Sequence, residues 1–157
     1  MEKQGIFVLL ISNLGSYHTA IEPEIFRGFA HADKIAPFII INDRDAKTAL
    51  SFTLIHELAH VLLGQTGISG LNSKNKIEEF CDDVAGEFLL PKKLLATIEI
   101  NNGSSYQEIR NRISGFASSH KLSHSMIAYK LYRSDIISEE IWHRLYTEFR
   151  EFWHKHR

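Results

Sequence analysis

Apolar residues fall in short unbroken runs through the first third of the chain. Later they recur at intervals of three and four. Gly5 to Ile11 is apolar from Ile6 onward and predicts a buried strand. Ser12 to Pro23 mixes Asn, Gly, Ser and Thr and predicts a loop. Phe26 to Ala30 suits a short second strand. Pro37 followed by Phe38-Ile39-Ile40-Ile41 predicts a third, rich in β-branched residues and closed by the turn formers Asn42-Asp43.

The helical period begins near Ala46 and runs to Leu63, with Gly64 as a stop. Phe52, Ile55, Leu58, Ala59, Leu62 and Leu63 recur at helical spacing and are expected to bury this helix. Gly64 to Lys76 is polar and contains glycine, which predicts a loop. A second helix covers Ile77 to Leu90 and ends at Pro91. Shorter helices are expected at Lys92–Ile98, Tyr106–Ser118, Ser123–Ser134 and Glu139–Trp153. Asn101-Asn102-Gly103-Ser104-Ser105 is the clearest break. The helical region 101–157 is nevertheless expected to pack on the same body, making residues 1–157 one domain. Strands first and helices afterwards indicate an α+β fold.

Composition narrows the choice of function. Eighteen Lys and Arg against nineteen Asp and Glu leave a net charge of −1, which argues against holding nucleic acid by bulk electrostatics. A single cysteine, Cys81, allows no internal disulfide and fits a reducing compartment. The run Ile6–Ile11 is too short to span a bilayer and lacks the flanks of a secretory signal. A cytoplasmic protein without a membrane partner is therefore expected.

Nine histidines direct attention to metal chemistry, above all His56-Glu57-Leu58-Ala59-His60. Residues four apart share a helix face, so His56 and His60 can offer imidazole nitrogens to one ion. Glu57 then projects beside that ion, where a general base is wanted within reach of a water. A catalytic zinc needs a third protein ligand and an open position. Glu78-Glu79-Phe80-Cys81-Asp82-Asp83 offers two registers. In one, Glu78 is the ligand and Asp82 holds a ligating histidine by a hydrogen bond. In the other, Glu79 and Asp83 take those places, unless they form a solvated acidic face. Cys81 faces broadly the same side as Glu78 and is expected to be a small buried side chain. His120 and His124 are also four apart, but no glutamate follows His120 and their surroundings are polar, so a surface pair is expected. His154 and His156 lie in a charged tail.

The segment Phe52-Thr53-Leu54-Ile55-His56-Glu57-Leu58-Ala59-His60-Val61-Leu62-Leu63-Gly64 resembles the ImmA/IrrE family of bacterial metallopeptidases. So does Ile77-Glu78-Glu79-Phe80-Cys81-Asp82-Asp83-Val84-Ala85-Gly86-Glu87-Phe88-Leu89-Leu90-Pro91. Pro37 through Asn42, preceded by Gly28-Phe29, resembles the strand leading into the family's metal helix. The likeness is strong from Gly5 to Pro91 and looser beyond. It implies a minimal zincin-like domain: a small N-terminal sheet packed on the metal-binding helix, then a helical C-terminal part. It places the third ligand at Glu78 and the supporting carboxylate at Asp82, and so selects between the registers. Relatives commonly carry further sequence before the strand resembling Gly5–Ile11, so the chain is expected to be the peptidase domain alone.

The implied cofactor is one zinc ion on His56, His60 and Glu78, with Glu57 as catalytic base. Tyr106, His120, Tyr129 and Tyr132 are unranked candidates for stabilising the oxyanion. The strand Phe38–Ile41 is expected to offer an edge to an extended peptide. Family members act on helix-turn-helix repressors, which implies a zinc endopeptidase whose protein partner is a bacterial DNA-binding repressor. The alternatives are a catalytically silent zinc-binding regulator and a DNA- or partner-binding module. The latter draws on the loosely helix-turn-helix-like stretch Phe116–Tyr132.

Overall fold

The computed structural model describes residues 1–11, 21–69, 76–101 and 103–155. The chain divides into two compact units, Met1–Leu89 and Leu90–Arg157. Most of the expected loop Ser12–Pro23, and residues 70–75 of the expected loop Gly64–Lys76, lie outside the described residues. His156 does too.

The first unit holds four strands and two helices: β1 (Phe7–Leu10), β2 (Gly28–His31), β3 (Phe38–Ile41), α1 (Lys47–Leu62), β4 (Gly67–Ser69) and α2 (Lys76–Leu89). The sheet order is β1-β3-β2-β4. β1 runs parallel to β3, while β2 runs antiparallel to both β3 and β4. α1 packs on β2, β3 and β4, and α2 packs on α1. Ala30, Ile39 and Ile41 form the sheet side of this core. The small residues Cys81, Ala85 and Gly86 are the buried positions of α2 and let the two helices approach closely. Asn42 fixes the exit from β3: its side-chain amide donates to the carbonyls of Ile21 (2.8 Å) and Phe26 (2.9 Å).

Three expectations change here. β1 is an edge strand with Phe7, Leu9 and Leu10 more than half exposed, not a buried one. Among the described residues it pairs only with β3, so an apolar run alone did not bury it. β3 in turn is interior, flanked by β1 and β2, and cannot offer its edge to a peptide. Within the expected loop Gly64–Lys76 lies β4, a three-residue strand that exists through its pairing with β2.

α1 also buries an unexpected face. Leu62 is 75% exposed and Leu63 is exposed as well, whereas Thr53, His56, Glu57, Ala59 and His60 are buried. The helix is turned so that its polar, chemistry-bearing positions face the sheet and α2.

The second unit contains α3 (Lys92–Leu95), α4 (Tyr106–His120), α5 (His124–Arg133) and α6 (Glu139–Lys155). Ser105 and Glu108 start α4 with a reciprocal capping box. Ile113, Ile127, Leu131 and Leu145 are fully buried. The α+β class holds: a small mixed sheet with helices, strands first. No described helix is long and apolar enough to cross a membrane.

Candidate metal centre

One turn of α1 separates His56 from His60, and their Nε2 atoms lie 3.1 Å apart. Glu78, in the first turn of α2, completes a triangle. Its Oε2 is 3.2 Å from His56 Nε2 and its Oε1 is 3.2 Å from His60 Nε2. Ligands about 2.0–2.1 Å from a tetrahedral zinc stand about 3.3–3.4 Å from one another. The two imidazole nitrogens are at that spacing, each Glu78 oxygen is at that spacing from one of them, and one donor atom from each of the three residues lies within 4.8 Å of the others. The donor chemistry fits as well. Three electron-pair donors converge on one point, an arrangement that favours a cation at its centre. Among the described residues this is the one group of three that could hold a metal ion.

Asp82 lies one turn beyond Glu78, and its Oδ1 accepts from His56 Nδ1 at 2.9 Å. That bond leaves Nε2 of His56 as the electron-pair donor. Burial pushes the His56 imidazole down. The hydrogen bond and charge of Asp82, with the charges of Glu57 and Glu78, outweigh it, so the pKa lies above the usual histidine value. His60 moves the other way, held low mainly by burial, with the charge of His56 adding to it and Glu78 opposing. The Nδ1 of His60 is buried and has no hydrogen-bond partner among the described residues. The ring lies close against β4, where a Cβ added to Gly67 would stand 3.1 Å from its Nδ1 and Cε1.

Glu57 is fully buried between α1 and β2. Cys81 is buried in the same region, and its thiol is pushed up to about 11, first by burial and then by the charges of Glu78, Asp82 and Glu57. It behaves as a small packing residue. Glu79 and Asp83, the rival register, are exposed.

The remaining candidates lie in the second unit. The Tyr106 hydroxyl donates to Glu148 Oε2 at 2.6 Å, and Arg110 pairs with the same carboxylate. His120 stacks on Phe116 and His124 packs against Phe149, so the two are held by different rings. Tyr129 and Tyr132 lie against Trp142. The helix-turn-helix-like stretch takes the form of α4, a turn with Lys121 left-handed at φ 55°, and α5 capped by Ser123.

Sequence reasoning missed Gly28 and Gly67, whose bare backbones face Glu57 and His60. A signal existed: glycine inside a strand often marks a close approach.

A family model described as the IrrE N-terminal-like domain, of a peptidase family, matches residues 1–132. No curated protein matches the chain. The match spans β1 to β4, both helices of the candidate centre and the first part of the second unit. The chain belongs to the ImmA/IrrE family of metallopeptidases.

Proposed function

We propose that this protein is a zinc-dependent endopeptidase acting on a protein substrate, a helix-turn-helix transcriptional repressor. The observation that carries the peptidase reading is the donor triangle of His56, His60 and Glu78 with Glu57 buried beside it. Two imidazoles and one carboxylate at these spacings suit zinc. A zinc ion there supplies Lewis acidity, which polarises a peptide carbonyl and acidifies a water.

The protein's own residues do the rest. His56 and His60 hold the ion from one helix and Glu78 holds it from the next, while Asp82 fixes the His56 ring. Glu57 accepts a proton from the attacking water and returns it to the leaving nitrogen. The peptide-pairing role expected of Phe38–Ile41 passes to β4, an edge strand lying against His60.

The repressor as substrate rests on the family resemblance, and it is tested with the helix-turn-helix regulator encoded nearest the gene. The parent protein, loaded with zinc, cuts that regulator in an exposed linker. Glu57→Gln keeps zinc and fold but loses nearly all cleavage, because the amide cannot take the proton. Zinc binding without cleavage of any protein would assign the chain to the silent-regulator class instead. Free degradation of casein with the regulator intact would replace the specific reading with that of a general peptidase.

A further inference from the structure

We infer that Gly28 is a positioning residue for the base: its missing side chain makes the space in which the Glu57 carboxylate is held. The inference rests on the peptidase reading and adds a residue to it. Gly28 opens β2 and is buried. Its φ is not in the left-handed region, so backbone conformation does not call for glycine. Glycine in a strand lowers stability and offers nothing to pack, so space is the remaining reason for it. A Cβ built on Gly28 would stand 2.5 Å from Glu57 Oε1, 3.0 Å from Glu57 Cδ and 2.8 Å from Thr53 Cγ2. All are at or inside the closest approach that carbon makes to either atom type.

The strain of an added methyl has three outlets. β2 cannot shift easily, because it is hydrogen-bonded to β3 on one side and β4 on the other. Thr53 is β-branched, buried and stiff at χ1, so its methyl yields little without lifting α1. The Glu57 carboxylate is the far end of a flexible side chain and gives way first. Its place beside the metal centre is therefore set by the absence of a side chain on Gly28. The three heavy atoms nearest that Cβ belong to Glu57 and Thr53, and none to His56, His60 or Glu78.

The test is a pair of double-variant cycles on the full chain. In the zinc-loaded protein, Gly28→Ala should lower kcat about 100-fold, the effect of misplacing a reacting group by about 1 Å. KM should stay within a few-fold and the zinc content unchanged. In a Glu57→Gln background the same substitution should change the residual rate less than about threefold, because the group it displaces no longer acts as a base. In the metal-free protein, Gly28→Ala should lower Tm by about 5 °C. It should lower Tm less in a Glu57→Ala background, where the methyl fills vacated space. Equal losses of rate in both Glu57 backgrounds, or equal Tm shifts, would make Gly28 a general packing position and overturn the inference. A parent protein that binds zinc but cleaves nothing removes the peptidase reading, and the catalytic role of Gly28 with it. A parent that cleaves, beside an equally active Gly28→Ala, removes the Gly28 inference alone.

Discussion

Asp82→Ala isolates the contribution of the residue that orients His56. The bond it removes is a 2.9 Å contact between Asp82 Oδ1 and His56 Nδ1. A hydrogen bond with one charged partner contributes about 1.5–3 kcal/mol. The Asp82 side chain is 46% exposed, so solvent screens it and the lower part of that range applies, about 1.5–2 kcal/mol. That corresponds to about ten- to thirty-fold in zinc affinity. The value falls within the range found when such supporting carboxylates are lost. The assay is competition against a chromophoric chelator at pH 8, beside a thermal melt that checks the fold. A second arm works out the pH dependence. Asp82 raises the His56 pKa, so in the parent a proton competes with zinc for that ring as pH falls. Without Asp82 the pKa drops and the competition weakens. The affinity gap between parent and Asp82→Ala should therefore narrow from pH 8 to pH 6. Unchanged affinity at pH 8, or a gap that widens at pH 6, would refute the reasoning.

Glu78→Ala should lose most bound zinc by elemental analysis, while Glu79→Ala, altering an exposed side chain, should keep it. The reverse pattern would place the ligand in the other register. Cys81 should resist iodoacetamide in the folded protein at pH 8 and react fully after denaturation, since its thiol is buried and its pKa raised to about 11. Rapid labelling of the native protein would show the thiol to be accessible. Ser105→Ala should cost about 1 kcal/mol in denaturant melts by removing the cap of α4, with zinc binding unchanged.

Local patterns carried much of the fold. Pro37 and the β-branched run that follows gave β3 its observed bounds, and Gly64 ended α1 within two residues of where the pattern placed the stop. What failed was orientation. Leu58, Leu62 and Leu63 look like the buried stripe of α1, yet the helix is turned so that Thr53, Glu57 and His60 meet the sheet. Periodicity identifies a stripe but cannot weigh it against long-range contacts with glycines on β2 and β4. β4 was invisible for the same reason, since Gly67-Ile68-Ser69 has no strand character apart from its pairing with β2. In the site, the spacing of His56 and His60 was enough to bring them together. By spacing alone Glu78 and Glu79 were equivalent; the family resemblance chose Glu78, and α2, packed against α1, brings that residue to the histidines.

The net charge near zero is a poor average for this chain, because the charges are unevenly divided. Residues 1–89 carry twelve Asp and Glu against seven Lys and Arg, whereas residues 90–157 carry seven against eleven. The unit holding the candidate centre is therefore acidic. Net negative charge on this unit draws in cations, which favours loading of a divalent metal. It also favours encounter with basic polypeptide and opposes encounter with nucleic acid. DNA-binding proteins are basic where they contact phosphate. The net charge that disfavours DNA on this unit would favour the approach of a basic DNA-binding protein to it. The proposed repressor substrate still rests on the family resemblance, and any attraction of this kind weakens as salt screens the charges.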